Sequence, residues 1–305
     1  MKILKFGGKS LSNGDGINKV VAIIANKINH GEKIAVVVSA RGNATDELEE
    51  ILGVAAKNGN YKALLETFKT EQKGDYPDVD LSEEFEALDK LFEGVSLIGD
   101  YSNKIKDQIL SKGELLSAKL LSAILIKNSI NARFTDSREL IKTDSKFGDA
   151  QPLEQVSKKN VVQYFKLHSD TVNIITGFIG SNNNNDATTL GRNGSNYTAS
   201  LIANYLDAEE LQNYTHVDGI YTANPELVPD AKKIDRLSFN EANEIANFGA
   251  TILHAKTIIP LLEKNIPLRI LNTFNHENQG TLITSKSNKE GIKTLSVLEN
   301  VALVN

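Results

Sequence analysis

The feature that most constrains this chain is the uninterrupted apolar run Ile34-Ala35-Val36-Val37-Val38, rich in β-branched side chains. A strand with one wet face alternates apolar and polar residues, whereas a continuous run belongs to a strand buried on both faces, as in a parallel sheet. Ahead of it stand Lys2-Ile3-Leu4-Lys5-Phe6, a turn at Gly7-Gly8, and Ile17, Val20, Val21, Ile23, Ile24 and Ile28 at helical spacing, with Gly31 placed as a C-cap. Strand, helix and strand in this order imply parallel pairing with a right-handed crossover. Functional groups then gather at the carboxyl ends of the strands. Gly7-Gly8 and Ser39 both stand at such ends.

The first turn, Lys5-Phe6-Gly7-Gly8-Lys9-Ser10, admits two readings. Glycines lack a Cβ, so the backbone can close around a phosphate with its N–H groups inward, helped by the positive end of the following helix and by Lys5 on the strand. The plainer reading is a strand that happens to end in glycines. Gly8-Lys9-Ser10 is not the end of a P-loop, because the glycine that motif requires upstream is replaced by Ile3.

Residues 43–128 read as helices over Asp46–Ala56, Tyr61–Gln72, Ser82–Phe92, Val95–Ser111 and Glu114–Ile126, a cover for the strand ends. Gly113-Glu114-Leu115-Leu116-Ser117-Ala118 is expected to open the last of them. That gives Glu114 the ordinary role of a first-turn acid favoured by the helix dipole. Short strands are expected at Ala132–Phe134 and near Leu140, a helix at Val156–Phe165, and a core strand at Thr171–Thr176 ending in Gly177-Phe178-Ile179-Gly180. The stretch Ser181-Asn182-Asn183-Asn184-Asn185-Asp186 reads as a mobile linker loop and a lobe boundary. Thr188-Thr189-Leu190-Gly191-Arg192-Asn193-Gly194-Ser195-Asn196 leads into a helix over Tyr197–Tyr205, a second anion cradle. A strand at Glu210–Thr215 ends at His216-Val217-Asp218-Gly219-Ile220-Tyr221-Thr222. Helices Phe239–Phe248 and Ala255–Lys264 and strands Pro267–Leu271 and Thr281–Thr284 follow. Gly291–Asn305 alternates and reads as the first strand of a further unit.

Composition narrows the function classes. The 305 residues hold no cysteine, which excludes disulfides and thiolate metal sites. The five histidines form no i, i+4 pair around a glutamate, against a zincin-type zinc site. A net charge of -5 argues against a nucleic-acid partner. No apolar run is long enough for a membrane helix, and the N-terminus is a strand without a secretory pattern. A cytoplasmic protein is expected.

The blocks Lys5-Phe6-Gly7-Gly8, Val37-Val38-Ser39-Ala40, Gly113–Ala118, Gly177–Gly180, Thr188–Arg192, Val217–Thr222 and Asn272-Thr273-Phe274-Asn275 resemble, in order and spacing, those of the aspartokinases of the amino acid kinase superfamily. The resemblance implies an αβα sandwich around an eight-stranded, mostly parallel sheet. It implies an aspartate-binding lobe over residues 1–180, a nucleotide-binding lobe over 181–288, and the start of an ACT-type regulatory region over 289–305. Some relatives also carry a homoserine dehydrogenase. The implied reaction is ATP-dependent phosphorylation of the L-aspartate β-carboxylate, the first step toward lysine, threonine and methionine. Mg2+ would be held mainly by the nucleotide phosphates, and a homo-oligomer is expected of the full-length protein.

By the same resemblance Arg192 would pair with the substrate α-carboxylate, Glu114 would meet the α-ammonium, and Ser39, Thr45, Gly194 and Ser195 would complete the pocket. Lys5 and position 196 would serve catalysis. Lys5, Gly7, Gly8, Lys9, Thr215, His216, Tyr221, Glu226 and Thr251 would lie on the nucleotide side. The chain departs from the family pattern there. Lys9 replaces Thr, Asn196 and His216 each replace Asp, Glu226 replaces Arg, and Thr251 replaces Lys. These charge changes cancel, so cationic charge is relocated, with Lys9 as the candidate replacement for the lysine missing at Thr251. Two readings stay open: a working aspartate kinase, and a degenerate kinase domain that binds aspartate or serves as a regulatory scaffold.

Overall fold

The computed structural model describes residues 1–223, 225, 227–247, 255–275 and 277–286. The expectations for Glu226, Thr251 and residues 289–305 lie outside them. The first half contains β1 (Lys2–Phe6), α1 (Gly8–Leu11), α2 (Asn13–Asn29), β2 (Ile34–Val38), α3 (Ala44–Ala56), α4 (Tyr61–Lys73), α5 (Ser82–Ile98), α6 (Asn103–Lys127), β3 (Ala132–Thr135) and α7 (Ser137–Leu140). Then come α8 (Glu154–Leu167), β4 (Val172–Thr176), β5 (Ile179–Ser181), β6 (Ala187–Thr189), α9 (Gly194–Tyr205) and β7 (Glu210–Thr215). The last described elements are β8 (Arg236–Ser238), α10 (Phe239–Asn247), α11 (Ala255–Lys264), β9 (Leu268–Asn272) and β10 (Thr281–Thr284).

An eight-stranded sheet runs in the order β3-β4-β2-β1-β7-β9-β10-β8. Neighbours are parallel except for the antiparallel β9–β10 pair. The run 34–38 is β2, buried at every residue and placed between β1 and β4. Burying one Val or Ile side chain stabilises by roughly 1.5–3 kcal/mol, so this strand anchors both faces. Leu4, Phe6, Val36 and Val38 pack with residues of α2 and α6. Ile3, Val37 and Ile175 pack with residues of α9 and α11. Successive residues on each strand therefore serve opposite helical layers, and the αβα sandwich follows. A third cluster unites α3, α4 and α5 with α6 and reaches Ala40 just past the end of β2. This is the helical cover expected over the strand ends.

Four local expectations are corrected. The helices expected at Val95–Ser111 and Glu114–Ile126 are divided elsewhere: α5 runs on to Ile98, Gly99 caps it at φ 74°, and α6 then runs unbroken to Lys127. Gly113 is inside α6, and its role is close approach: a Cβ there would lie 2.9 Å from the Cβ of Ala40. The strand expected near Leu140 is the short helix α7, started by Asp136, whose carboxylate accepts from the Arg138 N–H at 3.0 Å. The asparagine run is the turn of the β5–β6 hairpin. There the buried Asn182 Oδ1 accepts from the N–H groups of Asn184 and Asp186, both at 3.0 Å, and its amide donates to Ser145 Oγ. Asparagine serves here as a turn former, and not as linker filler.

If Gly113 lets α6 reach the β2 turn, Gly113→Val overpacks that contact and lowers stability by roughly 1–3 kcal/mol. Urea denaturation checks this, and an unchanged midpoint would mean that the contact carries no weight.

Candidate active site

The carboxyl ends of β1 and β2, the middle of α6 and the first turn of α9 enclose a cavity of about 680 Å³. Lys5 enters from β1, where its ladder neighbours are Val37 on β2 and Asn213 on β7. Its side chain is on the α9 face of the sheet, like that of Ile3 two residues earlier. Its amine would stand 3.6 Å from a Cβ at Gly7. Lys5 is 7% exposed, and burial lowers its pKa to about 8 against the opposing pull of Glu114.

Glu114 enters from α6 and is 2% exposed. Its Oε1 accepts from the Ala40 N–H at 3.1 Å and from Ser195 Oγ at 3.5 Å. Its Oε2 is buried with no hydrogen-bond partner among the described residues. Burial raises its pKa to about 8, and the bonds from Ala40 and Ser195 and the nearby Lys5 only partly oppose the shift. The first-turn reading of Glu114 is therefore corrected: it is a mid-helix carboxyl that joins α6, β2 and α9.

The first turn of α9 is held to the end of β4 by two glycines. A Cβ at Gly177 would lie 2.6 Å from Ser195 Cβ, and one at Gly194 would lie 2.5 Å from a ring carbon of Phe178. This close fit lays the positive end of α9 along the cavity, where Gly194, Ser195 and Asn196 line it. Asn196 Oδ1 is buried without a partner among the described residues. Arg192 also lines the cavity, its side chain exposed. Among the described residues it pairs with no carboxylate. Gly8, Ser39 and Thr45 complete the expected set. At Gly8 a Cβ would collide with the carbonyl oxygens of Gly42 and Ala40, at 2.6 and 2.7 Å. That glycine therefore lets the β1 and β2 turns touch.

Of the nucleotide-side expectations, Lys5 and Gly8 line the cavity and the other described residues fall elsewhere. Gly7, Lys9, Thr215, His216 and Tyr221 do not line this cavity. Gly7 donates its N–H to the Tyr214 carbonyl at 3.2 Å, which ties the β1 turn to β7. Lys9 is exposed on α1. Thr215 Oγ1 lies 3.3 Å from His216 Nδ1 at the end of β7. Tyr221 forms an isolated bridge with Lys233. Two of the sequence blocks meet beside it, where Asn272 and Asn275 donate side-chain N–H bonds to the Asp218 carboxylate at 2.7 and 3.1 Å.

Two charged residues with structural weight were not picked out from sequence. Asp107 is buried on α6 and lines the cavity. It accepts from the N–H groups of Gly148 and Thr189 and from Thr189 Oγ1, at 2.9, 2.8 and 2.9 Å. Burial still raises its pKa. The signal in the sequence was its placement two helical turns before Glu114, masked by Lys104, Lys106 and Lys112 around it. Arg41 is buried too, and donates to the carbonyls of Leu11, Glu71 and Gln72. It caps the carboxyl ends of α1 and α4, where a cation is favoured.

Residues 1–272 match the amino acid kinase family. A lysine-sensitive aspartokinase 3 of Escherichia coli is 34% identical over 226 residues, 72% of this chain and 50% of that protein. An aspartokinase of Rickettsia conorii is 35% identical over 93% of this chain and 61% of its own length. The crystal structure of E. coli aspartokinase III in complex with aspartate and ADP (R-state) superposes with a TM-score of 0.85 at 32% identity, covering 94% of this chain and 65% of that one. The fold places its charged cavity at the carboxyl ends of parallel strands. The chain belongs to the amino acid kinase family. It spans about half the length of the E. coli aspartokinase it matches.

The buried pair gives stability an unusual pH dependence. Glu114 keeps its proton in the folded state up to about pH 8, so its contribution is present at low pH and is lost as pH rises from the ordinary glutamate range through about 8. Lys5, held down to about 8, costs least above the ordinary lysine range, and that advantage is lost as pH falls through about 8. Relative to Lys5→Met/Glu114→Gln, the unliganded wild type is expected to show a stability minimum near pH 8. Parallel curves for the two proteins would refute the shifted pair.

Proposed function

We propose that this chain is the kinase domain of an aspartate kinase, transferring the γ-phosphoryl group of ATP to the β-carboxylate of L-aspartate. One observation carries the reading: at the positive end of a helix, a buried lysine and a buried glutamate face one cavity with an arginine that pairs with no carboxylate among the described residues. An amino acid needs an acceptor for its ammonium and a cation for its α-carboxylate. Glu114, whose Oε2 has no hydrogen bond among the described residues, would supply the first, and the Arg192 fork would supply the second. Ser39, Thr45, Gly194 and Ser195 would shape the rest. The likeness to a structure that binds aspartate and ADP supports this assignment.

The unliganded charge state then makes sense. A substrate ammonium beside Glu114 lowers the pKa of the carboxyl, and phosphates beside Lys5 raise that of the amine. Each ligand restores the charge that burial suppresses. Phosphoryl transfer needs chiefly alignment and charge neutralisation. Lys5 would supply the cation at the transferring phosphate, and the first turn of α9, with Asn196, would orient it. Gly7, Lys9, Thr215, His216 and Tyr221 would border the nucleotide along the ends of β1 and β7, beyond the aspartate cavity, and Gly8, which lines that cavity, would stand between the two. Among the described residues no group of three or more histidine, aspartate or glutamate side chains gathers to hold a metal. We assign Mg2+ to the nucleotide phosphates, where it would neutralise charge. We assign the aspartate lobe to residues 1–180 and the nucleotide lobe to 181–288.

An ATP-dependent aspartyl-hydroxamate assay tests the proposal. Lys5→Met is expected to lower kcat by roughly 10²–10³-fold. Arg192→Ala is expected to raise the aspartate KM by about tenfold or more and leave the ATP KM in place. A wild type that binds aspartate in calorimetry but makes no hydroxamate would instead establish the degenerate-kinase reading, with Asn196 as the first residue to revert.

A further inference from the structure

Arg192 has no partner among the described residues, so its aim depends on the backbone that carries it. That backbone, from Thr189 through Gly191 to the start of α9, is an irregular connection with Gly191 at φ +74° and Asn193 at φ 57°. It needs something rigid to lean on. Asp107 provides this from α6. Its Oδ2 accepts from the Thr189 N–H at 2.8 Å and its Oδ1 from Thr189 Oγ1 at 2.9 Å, just upstream of Arg192. The same Oδ2 accepts from the Gly148 N–H at 2.9 Å. The next residue, Asp149, packs on Gly191 so closely that a Cβ there would lie 2.6 Å from Asp149 Oδ1. Asp149 is in turn ion-paired with Lys256, whose amine also reaches the Leu190 carbonyl at 3.3 Å. One buried carboxylate thus ties both segments that flank Arg192 to the helix that also carries Glu114.

We infer that Asp107 is a positioning residue for Arg192 and thereby sets the affinity of the cavity for the α-carboxylate of its substrate. The inference rests on the proposed function for its substrate, but not for its geometry. A carboxylate that takes three bonds while 1% exposed has no surface role to play, and charge-assisted bonds of this kind are stiffer than neutral ones. Asp107 and Glu114, two turns apart on one helix, would then hold the two ends of an amino acid in register. Glu114 would do so directly, and Asp107 through Arg192.

The test compares Asp107→Asn, Asp107→Ala and the milder Thr189→Val, which removes only the hydroxyl bond. In hydrogen–deuterium exchange, the amides of Thr189 to Asn193 should lose protection in the order Ala, Asn, Val, while those of β1 and β2 stay as in wild type. In the hydroxamate assay, Asp107→Asn should raise the aspartate KM by about tenfold, the weight of one hydrogen bond to a charged group, with the ATP KM within about twofold of wild type. Unchanged protection at 189–193 overturns the inference whether or not the chain phosphorylates aspartate. So does a rise of both KM values by the same factor, or a global loss of protection in all three variants, since either would mark a merely structural residue. A wild type inactive toward aspartate would fail the proposed function alone, and the exchange result would still decide this one.

Discussion

A carboxyl group buried in the middle of a long helix must be held by something, and in this molecule most of the cavity depends on how. Glu114 accepts the backbone N–H at the end of β2 and the hydroxyl at the start of α9, and it feels the Lys5 ammonium from β1. Three elements that are far apart in sequence meet on one side chain. The cost is substantial, because burial holds the carboxyl protonated up to about pH 8 and one of its oxygens has no hydrogen bond among the described residues. A structure selected for stability alone would place an apolar residue there. The unpaired oxygen makes sense as a group kept ready for a ligand, and the depressed lysine opposite it makes sense in the same way.

The apolar framework explains how such a site stays in place. β2 is buried on both faces, β1 and β7 flank the open end, and α6 and α9 press on opposite layers of the sheet. Glycines at 8, 113, 177 and 194 remove side chains where backbones meet. They are packing devices first. Their presence in sequence blocks shared with aspartokinases reflects the closeness of four backbones around one cavity.

Much of this was legible in the sequence. The run 34–38 and the Gly7-Gly8 turn gave the parallel sheet and the functional edge, because burial on both faces leaves a pattern that needs no tertiary information. Lys5, Ser39, Thr45, Arg192, Ser195 and Asn196 do converge on one cavity. What was not legible has identifiable causes. A glycine beside an acid looks the same in sequence whether it ends a helix or admits a neighbour, so the close approach at Gly113 does not show there. The asparagine run looked like a linker because composition does not show that Asn182 is buried and bonded to its own turn. Asp107 was missed because its partners, Gly148 and Thr189, are distant backbone groups. The short edge strand β8 has only three residues, too few for any periodicity. Lys9, the residue that departs most visibly from the family pattern, stands exposed on α1 outside the cavity.

The central claim is that Glu114 is a buried carboxyl poised for an ammonium. Carbon-13 NMR of its side-chain carboxyl, followed through a pH titration with and without L-aspartate, addresses it directly. The account predicts a midpoint of about 8 in the free protein, moving down as aspartate saturates the site. A midpoint in the ordinary glutamate range, indifferent to aspartate, would contradict it.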